Sequence, residues 1–187
     1  MMAAELSIYV SASPEMDAEC ELLGQMLANM ARSLRWKIKR TPAPHEFANP
    51  DLEALSESHF YLILLGSDIT APIGVEWRAA QEAGITTYAF RNVERVASPA
   101  AAVFAHSSAA RWQAYHTPRE FVQRFERALI TRLLEGTPGY GLDLADVEQL
   151  IARQRVLEEA DEGQPQEEER RGAGGGGVIL AAGESEP

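Results

Sequence analysis

Residues 59–65 read HFYLILL, an apolar run with no alternation of polar and apolar positions. A strand with one wet face alternates with period two. An unbroken run implies that both faces are covered, which marks a central parallel strand. The chain then turns through Gly-Ser-Asp and continues as IGVEWRAAQEAG. The spacing predicts a helix over 72–83, stopped by Gly84, and ITTYAF (85–90) reads as the next strand.

Working outward toward the N-terminus, LSIYV (6–10) is a short, partly β-branched strand that ends at the turn signal SASP. Pro14 opens a helix to about Leu34, in which Cys20, Leu23, Met26, Leu27 and Met30 recur at three- and four-residue steps. Glu15, Asp17, Glu19 and Glu21 crowd its first turns, where the helix dipole favours acids. WKIKR (36–40) alternates apolar with basic residues, as a strand near a sheet edge does. TPAPHEFANP is a loop, and DLEALSES a short helix.

Toward the C-terminus, residues 91–110 are rich in Ala and Ser and carry no periodic signal, while RWQAY (111–115) reads as a last short strand. TPREFVQRFERALITRLLEG (117–136) is an amphipathic helix. Thr117 is its N-cap, Pro118 follows, Glu120 completes a capping box and Gly136 ends it. Strands alternating with helices imply an α/β fold. The expected architecture is a flavodoxin-like three-layer sandwich with a five-stranded parallel sheet in the order 2-1-3-4-5.

This divides the chain into an α/β domain (1–136), a helical extension (137–162) and a tail (163–187). In the extension, Leu144, Val147, Leu150, Ile151 and Leu157 share a face. The tail is Gly- and Glu-rich and is expected to be disordered. VILAA (178–182) interrupts it and reads more readily as a weak linker than as a docking peptide. The chain carries a net charge of −11, and residues 137–187 hold 12 acids against 4 bases, leaving −3 for residues 1–136. No dense basic face points to nucleic acid. Cys20 is the single cysteine, and no His/Cys cluster has zinc spacing, so neither a disulfide nor a metal site is expected. No signal peptide and no apolar run of membrane-spanning length is present, which makes the cytoplasm the default expectation.

In an open parallel sheet, ligands collect at the carboxyl ends of the strands where the strand order reverses. In the order 2-1-3-4-5 the loops there are SASPEMD (11–17) and GSDITAPIGVE (66–76). Ser11, Ser13, Gly66, Ser67 and Asp68 are the candidate ligand-binding residues, with turn formation and capping as the ordinary alternatives. Glu76 is the candidate catalytic acid. Its ordinary alternative is a first-turn carboxylate held by the helix dipole. Neither loop is a Walker loop or a GxGxxG fingerprint.

SIYVSASPEMDAECELL and SHFYLILLGSDITAPIGVEWRAAQEAGITTYAF resemble the two leading blocks of the family called domain of unknown function 4062. The same layout occurs in TIR domains and in nucleoside 2-deoxyribosyltransferases. There, the helix after the third strand presents a glutamate that cleaves an N-glycosidic bond. The resemblance covers about residues 5–135 and puts that glutamate on Glu76. It implies either a signalling module acting through protein contacts, with a nucleotide crevice, or an N-glycosidase acting on NAD or nucleosides without a cofactor. The partner would engage the domain or the tail, and the layout leaves room for an oligomer. The surroundings of Glu76 depart from both enzyme patterns. Thr70, Ala71 and Pro72 replace Asp-Gly-Thr, and Ile73, Gly74 and Val75 stand where TIR enzymes often have Trp-Cys. The interaction module is therefore the leading expectation.

Overall fold

The computed structural model of the protein describes residues 4–136 and 139–162. The expected disorder of the tail and the role of VILAA lie outside the described residues. Five strands, β1 (Ala4–Ala12), β2 (Leu34–Arg40), β3 (Phe60–Leu65), β4 (Thr86–Asn92) and β5 (Trp112–Tyr115), form one sheet in the order β2-β1-β3-β4-β5. Every pairing is parallel, from Ala4 opposite Leu34 at one side to Asn92 opposite Tyr115 at the other. The fold is α/β and consistent with a flavodoxin-like architecture.

The helices are α1 (Asp17–Met30), α2 (Leu52–Ser56), α3 (Ala71–Glu82), α4 (Pro99–Ser107), α5 (Pro118–Glu135) and α6 (Leu144–Glu162). All six residues of β3 are buried, as the unbroken apolar run requires. Burial of each large side chain contributes about 1.5–3 kcal/mol. Alternation along the strands separates two core layers. Leu6, Ile8 and Val10 of β1 join Phe60, Leu62 and Leu64 against Leu23, Leu27, Phe121 and Phe125 of α1 and α5. Tyr9, Tyr61 and Ile63 face the other way, onto Leu55 of α2 and Ile73 and Ala80 of α3.

Several element ends shift by one or two residues, and three elements depart further from the sequence reading. The first helix begins with a 3-10 turn (Pro14–Met16) and ends at Met30. Ala31 is extended there (φ −154°, ψ 146°), so Leu34 opens β2 instead of closing the helix. Within the unassigned stretch 91–110, Ser98 accepts from the Ala101 amide and caps α4. Only Ala101 of that helix is buried, so its sequence has no apolar stripe to read. In α6, Leu150 and Leu157 are buried, but Leu144 and Ile151 are exposed. The helix lies against α5 and α1 along a seam narrower than the expected face. Arg153 grips Glu126 with two hydrogen bonds (2.7 and 2.8 Å), and Arg127 donates to the Leu157 carbonyl. Among the described residues, no helix is long and apolar enough to cross a membrane.

Candidate functional site

Glu76 lies in the second turn of α3, because the helix begins at Ala71 with Pro72 behind its N-cap Thr70. The first turn carries no acid, and the dipole reading of Glu76 falls with that. Residues three before and four after, Ile73 and Ala80, face the sheet, and Glu76 shares their face. Its carboxylate is wholly removed from solvent (0 % exposed). The Tyr9 hydroxyl donates to Oε1 (2.8 Å), and the Ser11 and Thr41 hydroxyls donate to Oε2 (both 2.6 Å). Tyr61 donates to Ser11 Oγ (2.7 Å), so three strands or strand ends supply the donors.

Burial, and then the negative charge of Glu76, push the Tyr9 phenol well above its usual range. For Tyr61, burial dominates and outweighs the opposing hydrogen bond with Ser11. Both therefore remain protonated donors. A buried carboxylate costs heavily unless it is hydrogen-bonded, and charge-assisted bonds of this kind are the strong ones. Among the described residues, no cation is one of its hydrogen-bond partners.

Thr41 has a second role. It lines a cleft of about 560 Å³ over the ends of β1 and β2, together with Arg40, His45, Phe47 and Pro72. Arg40 pairs across the cleft with Asp17 (2.8 Å), and Phe47, at φ 49°, is 95 % exposed. Glu76 does not line this cleft. The Thr41 hydroxyl stands between them, and it also accepts from the Ala12 amide (3.2 Å). A larger groove of about 680 Å³ lies between α1, α5 and α6; of its charged residues, Glu126 and Arg153 satisfy each other, and none of the residues around Glu76 lines it.

The loops at the point of strand-order reversal meet around a different acid. Glu15 Oε1 accepts from the Ser67 amide (2.8 Å), the Asp68 amide (3.3 Å) and the Ser13 hydroxyl (3.1 Å). Arg95 faces Oε2 (3.4 Å) and donates to the Glu15 carbonyl (2.9 Å). Burial alone would raise the Glu15 carboxyl, yet the hydrogen bonds from Ser67, Asp68 and Ser13 hold it below the usual range. Gly66 is buried there, and a Cβ on it would collide with the Met16 methyl and the Glu15 carboxylate. Asp68 is exposed, and its side chain accepts from Ser98 Oγ and the Ile69 amide. Ser13, Gly66, Ser67 and Asp68 are thus brought together, while Ser11 belongs to the Glu76 network.

A third acid, Glu19, is fully buried beneath β4 and β5. Oε1 accepts from Tyr115 (3.1 Å) and Asn92 (3.4 Å), and Oε2 has no hydrogen-bond partner among the described residues. Burial pushes the neighbouring Cys20 thiol up to about 11, so it stays protonated and unreactive near neutrality. Among the described residues, no group of three or more His, Cys, Asp and Glu could hold a metal.

Sequence reasoning missed Tyr9 and Thr41 as partners of Glu76 and Tyr61 as the donor to Ser11; it read Glu15 and Glu19 only as helix-dipole acids, and it did not single out Arg95. One signal was available. Ser7, Tyr9 and Ser11 alternate with Leu6, Ile8 and Val10, which gives β1 one polar face although it pairs on both sides. Thr41 and Arg95 lie in loops and carry no local signature. No family model and no curated protein matches the chain.

Proposed function

We propose that this chain is a TIR-like interaction module that works through protein contacts and takes a nucleotide, such as NAD or a nucleoside, in the cleft over β1 and β2. The observation that carries this reading is the seclusion of Glu76. Its two oxygens accept from Tyr9, Ser11 and Thr41, and it does not line the cleft it would have to serve. Such an acid ties β1 and the end of β2 directly to α3, and β3 through the Tyr61–Ser11 bond. Above it, Arg40 offers a cation to a phosphate and Phe47 an exposed ring for a base to stack on. The sheet domain or the acidic tail would carry the protein contacts.

A second reading, cleavage of an N-glycosidic bond, is favoured by one feature. A buried carboxylate with no cation among its hydrogen-bond partners in the described residues accepts from the Thr41 hydroxyl that lines the cleft. Burial raises the Tyr9 phenol that donates to it, a perturbation of the kind that clusters at functional sites. A carboxylate there could stabilise or trap an oxocarbenium-like state once Thr41 moved aside. The discriminating experiment is calorimetric titration with NAD and with nucleosides, run beside chromatography for released base. The expected outcome is saturable binding, weakened by Arg40→Ala and Phe47→Ala, with no base release above the buffer control. Base release that disappears in Glu76→Gln would replace the first reading by the second. Absence of both binding and release would remove the nucleotide from the proposal.

A further inference from the structure

We propose that Ser13, the amides of Ser67 and Asp68, and Arg95 form a binding site for a phosphate-type oxyanion, which the Glu15 carboxylate fills in the unliganded chain. The proposal goes beyond the reading of the β1/β2 cleft and does not depend on it. Its four donors come from three segments, the turn after β1, the loop after β3 and the loop after β4. Two backbone amides, a hydroxyl and a guanidinium converging on one carboxylate are the donor set that recognises an oxyanion.

Three features separate this arrangement from an ordinary ion pair. Gly66 lets the β3 loop run against the carboxylate, since any side chain there would collide with Met16 and Glu15. The Glu15 side chain keeps a quarter of its surface exposed, and it rides on a single 3-10 turn, so it can leave without opening the core. Arg95 also has a buried Nε with no hydrogen-bond partner among the described residues. The guanidinium therefore meets the carboxylate through one nitrogen at 3.4 Å and keeps donor capacity that Glu15 does not use, while a tetrahedral phosphate offers more acceptor positions than a carboxylate. The donors also favour negative charge, because they keep the Glu15 carboxyl below its ordinary range against the opposing effect of burial.

A tethered carboxylate competes at an effective concentration on the order of millimolar or higher, so the native chain should bind free phosphate only weakly. The test is titration of the full chain with inorganic phosphate, followed by calorimetry and by thermal shift. Glu15→Ala should bind phosphate on the order of tenfold more tightly than the native chain, because the internal competitor is gone. Glu21→Ala removes the same charge at an exposed site nearby and should leave phosphate affinity unchanged. Adding Arg95→Ala to Glu15→Ala should abolish the gain. If Glu15→Ala folds only when phosphate is present, that rescue also supports the site. Equal phosphate affinity in Glu15→Ala and the native chain would overturn the proposal. So would a Glu15→Ala chain that stays unfolded at every phosphate concentration. Acetate binding Glu15→Ala as tightly as phosphate would overturn the assignment to phosphate.

Discussion

Glu76 illustrates how a single residue type is read differently once its neighbours are known. Three hydroxyls at 2.6–2.8 Å make its carboxylate the hub of a buried polar network rather than a solvated helix acid. Glu76→Ala would leave the Tyr9, Ser11 and Thr41 hydroxyls buried without their acceptor. An orphaned buried group costs about 1–3 kcal/mol, and we expect a total loss of about 2–4 kcal/mol in urea unfolding. A change below about 0.5 kcal/mol, typical of surface positions, would contradict the network. Glu15 supports a second expectation. Its folded carboxyl titrates below the 4.5 of an ordinary glutamate, so the unfolded chain binds the proton more readily. The stability from Glu15 is then complete above about pH 4.5 and is lost as pH falls through the lower folded value. Stability measured from pH 6 down to 3 should fall less steeply in Glu15→Gln than in the native chain.

At the scale of elements, α6 is the part whose attachment the sequence described least well. Its regular 3.6-residue spacing permitted a wide apolar face, but only Leu150 and Leu157 reach the core. Polar contacts fix the rest: Ser33 Oγ donates to the Asp146 carboxylate, Gln149 to the Met30 carbonyl (3.2 Å), and Arg153 to Glu126. The contrast gives a direct test by denaturant unfolding. Leu150→Ala should cost about 2–5 kcal/mol through the cavity it leaves. Ile151→Ala, at a position 38 % exposed, should cost less than about 1 kcal/mol. Equal effects would mean that α6 lies in a different rotation about its axis. The cap of α5 was legible in detail, since Thr117 does accept from the Glu120 amide. The Glu120 carboxylate, however, accepts from the His116 amide, one residue before the cap.

For the whole molecule, an all-parallel sheet demands that segments distant in sequence meet before any pairing is rewarded. Ile8 must find Phe60 across α1, β2 and α2, and Ala89 must find Trp112 across α4. Mixed topologies with such separations fold more slowly than helical bundles. Stopped-flow refolding should therefore show a main phase on the order of milliseconds or slower, and a microsecond phase carrying the full amplitude would contradict the topology. The sequence by itself determined the α/β class, the strand order β2-β1-β3-β4-β5 and the central place of HFYLILL. The class and the buried central strand follow from local hydrophobic period and turn chemistry, which act within a few residues. The order is that of the flavodoxin-like pattern to which the alternation of strands and helices is assigned. Only the tertiary structure decided what the acids do. Glu76 meets donors 35, 65 and 67 residues away, and Glu15 meets Ser67 and Arg95 from two other strand ends. No periodicity links such residues. They meet because the parallel register brings the ends of β1, β2, β3 and β4 to one edge of the sheet, where a buried charge must take whatever donors that edge supplies.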